Sequence, residues 1–163
     1  MKVCVLGAGA IGGWMGVKLA QAGHPVSVLA RGATLAAIRA EGLRLIEAGA
    51  TAAVPVTASD NPAELTAQAY PDLLIVAVKS QGLRDAALAA KPLIGPDTLV
   101  LTAMNGVPWW FFQRSDRPLA GTALASIDPS GEIAASIPAA NVVGCVVHAA
   151  CSVDAPGLLR HRM

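Results

Sequence analysis

Val3-Cys4-Val5-Leu6-Gly7-Ala8-Gly9-Ala10-Ile11-Gly12 decides how this chain is read: four apolar residues run directly into G-x-G-x-x-G. The apolar run reads as a buried strand, and the glycine pattern as a turn opening a helix over about Ala10 to Ala22. Gly23 stands where a C-terminal helix cap belongs. Pro25 to Ala30 is a second, Val-rich apolar run. Strand, helix and strand within about thirty residues make a βαβ unit with a right-handed crossover. In that setting each glycine has its own task. Gly7 makes the tight turn, Gly9 lets the backbone approach a pyrophosphate, and Gly12 lets helix and strand pack closely. The helix N-terminus adds free N–H groups and a positive dipole end.

Outward from this unit the chain keeps alternating. A short helix is expected near Ala33 to Glu41, ended by Gly42. Two weak extended stretches, Leu43 to Glu47 and Ala53 to Thr57, suggest a hairpin-like excursion. Leu73 to Val78 is a central strand, Gln81 to Ala90 a helix, and Thr98 to Ala103 another buried strand. A short aromatic helix is expected over Trp109 to Gln113. Ser115 to Ala140 is loop-rich with a helix near Glu132, and Val142 to Val147 is a last apolar strand. Val153 to Met163 reads as a hairpin turning at Ala155-Pro156-Gly157. Continuous apolar strands alternating with helices define an α/β fold: a Rossmann-type, doubly wound, mostly parallel sheet.

Composition narrows the function classes. At 163 residues the chain fits one domain, with 54% hydrophobic and only 14% charged residues. The net charge of +1 gives neither a nucleic-acid footprint nor a polybasic membrane patch. No run of apolar residues is long enough to span a bilayer. The glycine turn, and the lack of a basic region before the apolar run, argue against a signal peptide. Cys4, Cys145 and Cys151 form no CxxC pair. They read as buried thiols in a reducing cytoplasm. His148 and Cys151 fall short of a metal site, so no metal is expected.

The cofactor is read at the end of the second strand. NAD-binding versions carry an acidic residue about 20 residues past the glycines, for the ribose 2′-hydroxyl. Here Leu29-Ala30-Arg31-Gly32 stands there, and no Asp or Glu occurs between Gly7 and Glu41. Arg31 offers a planar fork of donors suited to a 2′-phosphate, which favours NADP (NADPH). The competing reading of Arg31 is a solvated surface side chain.

Three later stretches complete the pattern: Val76-Ala77-Val78-Lys79-Ser80-Gln81, Met104-Asn105-Gly106-Val107, and Gly144-Cys145-Val146-Val147-His148-Ala149-Ala150. With the glycine turn and Arg31, their order resembles the ketopantoate reductase (2-dehydropantoate 2-reductase) family. The resemblance covers essentially the whole chain but only the family's N-terminal half. It implies that Gly7, Ala8, Gly9, Ala10, Ile11 and Gly12 bind the pyrophosphate and Arg31 the 2′-phosphate. It further implies that Lys79 lies at the cofactor, that Asn105 touches cofactor and substrate, and that the backbone at Ala150 lies beside the cofactor. In the family, the general acid and most substrate contacts belong to a helical C-terminal domain absent from this chain. No catalytic residue is therefore assigned here. Residues 1–163 are expected to form one NAD(P)-binding Rossmann domain, truncated near its C-terminal end.

The implied activity is NADPH-dependent reduction of a small 2-keto acid: ketopantoate to pantoate, in pantothenate biosynthesis, or a related substrate. Val107-Pro108-Trp109-Trp110-Phe111-Phe112 departs from the shorter segment typical of the pantothenate enzymes. That leaves ketopantoate open among 2-keto acids, with the Trp pair read as core or domain-interface packing. Two rival readings remain. One is a ligand-sensing Rossmann module without catalysis, which would carry an acid where Arg31 stands. The other is a different 2-hydroxy acid dehydrogenase with the same first half. A homodimer is left open as the assembly.

Overall fold

Alternate residues of the first strand face two different cores. In β1 (Val3–Leu6), Val3 and Val5 join one apolar cluster while Cys4 and Leu6 join another. This is the period-two signature of a sheet covered on both faces. The computed structural model describes residues 1–113, 116 and 118–162. Ser115, the expected start of the loop-rich stretch, and Met163, the expected end of the last hairpin, lie outside the described residues. After β1 come α1 (Ala10–Gln21), β2 (Val26–Leu29), α2 (Gly32–Glu41), β3 (Leu43–Glu47), β4 (Ala50–Val54), β5 (Thr57–Ser59) and α3 (Pro62–Thr66). They are followed by β6 (Leu73–Val76), α4 (Leu83–Ala90), β7 (Leu99–Ala103), α5 (Glu132–Ser136), β8 (Val142–Cys145), β9 (Cys151–Ala155) and β10 (Leu158–His161).

The main sheet has the order β5-β2-β1-β6-β7-β8, and every pairing in it is parallel. The strand order reverses between β1 and β6, the switch point where open α/β sheets bind ligands beyond their carboxyl ends. Helix α1 and the second sheet cover the Val3/Val5 face; α4, Trp109, Ile133 and Ile137 fill the other. Among the described residues no helix is long and apolar enough to cross a membrane.

A second sheet, β4-β3-β10-β9, is the main departure from the expected architecture. The excursion after α2 is indeed a hairpin, but its second strand begins earlier than Ala53. Ala48 and Gly49 both take positive φ, 49° and 80°, which closes a two-residue turn and starts β4 at Ala50. Pro55, with no N–H to donate, follows the end of β4, and the chain re-enters the main sheet as β5. The C-terminal hairpin does not stand alone. Its β10 pairs in parallel with β3 and antiparallel with β9. Leu159 is fully buried there, worth about 1.5–3 kcal/mol by apolar transfer. A Cβ on Gly13 would sit 2.0 Å from Leu159 Cδ1, so the α1 glycine admits the second sheet. An ionic link adds to this. Lys18 Nζ donates to Glu47 Oε2, and His161 Nδ1 lies 2.7 Å from Glu47 Oε1. Both partners hold the Glu47 carboxyl below its usual range.

Two local expectations are corrected. Trp109 to Gln113 forms successive turns, with Phe111 N donating to Pro108 O and Gln113 N to Trp110 O, and no helix. The aromatics are pulled apart by packing. Trp109 is buried against the α4–α5 side of the core, Trp110 covers Gly144, and Phe111 is exposed. Of the three cysteines only Cys4 is buried, and burial pushes its thiol up to about 11. Cys145 and Cys151 are half-buried because they lie on edge strands of the two sheets.

Candidate dinucleotide site

At the carboxyl end of β1 and β2 lies a cavity of about 690 Å³, within the range of ligand pockets. Gly7, Ala8 and Gly9 form its floor, Ala30 and Arg31 one side, and the α4 face with Asp85, Ala86 and Ala89 the other. The glycines divide the work as the motif requires. Gly7 has φ of +92°, and a Cβ there would stand 2.7 Å from Ala77 O. A Cβ on Gly12 would collide with Gly7 O at 2.2 Å. Both are glycines because the turn must fit beneath β6. Gly9 is different. It is extended, it caps α1 without a side chain, and a Cβ added to it meets nothing within 4 Å. The space in front of Gly9 is thus open, and among the described residues the first N–H groups of α1 have no side-chain acceptor. A phosphate suits that cradle in charge and in size.

Arg31 is exposed, N-caps α2 without using its side chain, and reaches the cavity together with Thr34 of the first turn of α2. Ala10, Ile11 and Gly12 open α1 and do not line the cavity. The wall also contains residues that sequence reasoning missed: Thr34, Asp60, Asp85, Val153 and Gly157. Asp60 arrives because β5 pairs beside β2, and Val153 because the second sheet folds back over α1. Neither pairing leaves a local signal in the sequence.

The remaining expected residues, Lys79, Asn105 and Ala150, follow β6, β7 and β8 and do not line this cavity. Lys79 follows β6 by three residues, is exposed, and has no side-chain partner among the described residues. Asn105 follows β7, and its amide grips the chain beyond β8. Its Nδ2 donates to Val147 O at 3.2 Å, and its Oδ1 accepts from Val147 N at 2.8 Å. The arrangement imitates one rung of a β ladder and still leaves one N–H and one lone pair of the amide free. Ala150 O accepts from Arg162 N at 2.8 Å, so it anchors the second sheet.

Residues 3–111 match the family described as Ketopantoate reductase PanE/ApbA. This chain belongs to the ketopantoate reductase family. The 2-dehydropantoate 2-reductase of Mesorhizobium japonicum is 48% identical over 162 residues, covering 99% of this chain and 49% of its own length. A crystal structure from Ralstonia solanacearum MolK2, assigned to the ketopantoate reductases, superposes with a TM-score of 0.94 at 51% identity. It covers 99% of this chain and 49% of the other. A PanE/ApbA family ketopantoate reductase from Ralstonia eutropha JMP134 superposes at 0.76 with 34% identity, over 100% of this chain and 47% of the other. The chain therefore spans about half the length of the relatives it matches.

Proposed function

We propose that this chain binds NADPH and supplies the cofactor half of a reductase acting on a small 2-keto acid, with ketopantoate the first candidate. The observation that carries the reading is the meeting, in one cavity, of an open glycine cradle at a helix N-terminus and an Arg31 with no side-chain partner among the described residues. The α1 amides would hold the pyrophosphate and Arg31, with Thr34, the 2′-phosphate. When bound, the dihydronicotinamide supplies the hydride that reduces the ketone carbon. Lys79 and Asn105 stand beyond β6 and β7, neighbouring strands on the side of the switch point away from Arg31. They would orient the nicotinamide and the substrate, Asn105 through the amide valences that Val147 leaves free. Ala150 would contribute backbone beside the cofactor. No general acid is assigned among these residues, and one would be needed to protonate the new alkoxide.

Two measurements test the proposal. Fluorescence titration should show NADPH binding more tightly than NADH, and equal affinities would overturn the NADP assignment. An NADPH-oxidation assay with ketopantoate should show this chain alone to be nearly inactive, since a missing general acid typically forfeits about 10²–10⁴ in rate. Robust turnover would mean that a proton donor lies among these residues, and the roles above would have to be redrawn.

A further inference from the structure

The edge of the cavity formed by β2 and β5 carries a charge that the cofactor reading does not use. These strands run parallel in register, Leu29 beside Ser59, and Ala30 N donates to Ser59 O at 3.0 Å. The residues that follow them therefore emerge at the same level: Ala30 and Arg31 from β2, Asp60 from β5. Neighbouring strands lie only about 4.8 Å apart. Arg31 and Asp60 both line the cavity, yet among the described residues neither forms an ion pair or a hydrogen bond through its side chain. Every other polar side chain of the turn into α3 is committed. Ser59 Oγ donates to Glu64 Oε2 at 2.6 Å and accepts from Asn61 N at 3.0 Å, while Asn61 Oδ1 accepts from Ala63 N at 3.1 Å. Among the described residues of that turn only the Asp60 carboxylate is left to face the cavity, while Asp85 across it pairs with Arg84 at 3.7 Å.

We propose that Asp60 is a cofactor-specificity residue, accepting hydrogen bonds from the free hydroxyls of an unphosphorylated adenosine ribose and opposing a 2′-phosphate. This rests on reading the cavity as the adenosine end of a dinucleotide site. A carboxylate can only accept, so a diol suits it and a phosphate, its like in charge, does not. NAD-binding sheets place such an acid at the end of their second strand. Here the second strand ends in Arg31, and the acid comes from the adjoining strand. The cavity holds a phosphate reader and a diol reader side by side, and Asp60 tempers the preference that Arg31 sets.

The test is titration of NADPH and NADH against the unmodified chain, Asp60→Asn and Arg31→Ala, with thermal melting as a check on folding. Asp60 is exposed and near-isosteric with its replacement, so Asp60→Asn should melt with the parent. It should weaken NADH binding by about tenfold or more, the effect of losing a charge-assisted contact. NADPH affinity should hold or rise, so that the preference for NADPH widens at least about tenfold. An unchanged or narrowed preference overturns the inference. If Arg31→Ala meanwhile weakens NADPH, the dinucleotide reading survives that failure. If the unmodified chain binds neither cofactor, both fall together.

Discussion

On the β1–β2–β5 side of the sheet's carboxyl edge, the α1 amides behind Gly9, the Arg31 guanidinium and the Asp60 carboxylate have no side-chain partner among the described residues. On the β6–β7–β8 side, Asn105 is bound twice to Val147, and Ala150 O is bound to Arg162 N. Among the described residues, this edge thus presents unpaired polar groups on one side and a braced frame on the other. On the proposed reading, the first half would meet charged ligand atoms with groups already free. The second must work chiefly by holding its strands' extensions in place, with Lys79 as its one free cation among the described residues of that edge. A binding defect and a folding defect should therefore separate cleanly between the two sides.

The sharpest way to break this comparison is Gly9→Val. Gly9 has φ of −77°, which any residue adopts, and open space ahead of it. The side chain should fill the cradle and lower dinucleotide affinity by about a hundredfold or more, as two charge-assisted contacts go, with circular dichroism unchanged. Retained affinity would mean the turn is not the phosphate site. Next in size is Arg31→Ala, which should weaken NADPH by roughly 10- to 150-fold and leave NADH nearly as before. Equal losses for the two cofactors would place Arg31 away from the 2′-phosphate.

Asn105→Ala should act in the opposite sense. Removing both bonds to Val147 should cost about 1–3 kcal/mol of stability. A chain of this size should then melt lower by roughly 2–4 °C per kcal/mol. Affinity for an adenosine fragment such as 2′,5′-ADP should not change, and a loss of it would erase the distinction between the two sides. The smallest effect concerns α4, the cavity's far wall. Arg84 Nε and Nη2 hold Glu132 of α5 at 2.6 and 3.0 Å. The Arg84 contact first, and Ser130 second, lower the Glu132 carboxyl from 4.5 to about 2. Its folded value lies below its unfolded one, so its contribution is present above about pH 4.5 and fades as pH falls toward 2. Glu132→Gln should melt slightly below the parent at neutral pH, and the two melting curves should converge in acid. A gap that persists at pH 2 would remove this ion pair from the account.

Much of the main sheet was legible because its strands are short apolar runs bounded by turn residues. Val3 to Leu6, Leu73 to Val76 and Leu99 to Ala103 lie within the expected spans to a residue or two. The glycine turn was legible for a local reason also, since tight turning, close approach and helix–strand packing each demand a missing side chain at a set spacing. The aromatic stretch misled because its four aromatics read alike in the sequence, whereas the core takes Trp109, the Gly144 surface takes Trp110 and Phe111 stays exposed. The second sheet was legible only as two separate hairpins. Nothing local in Leu43 to Ile46 or Leu158 to Arg160 announces that they pair across more than a hundred residues of chain.

The sequence by itself determined the family, the βαβ opening, the glycine turn and the Arg at the end of the second strand, because each depends on contacts within a few residues. Tertiary structure alone decided which charges share a wall. Asp60 lines the same cavity as Arg31 because β5 returns to pair with β2, and Val153 reaches it because β9 and β10 fold over α1 onto β3. Strand pairing is satisfied by backbone groups that every residue carries, so side-chain identity marks where a strand runs far better than what it runs beside.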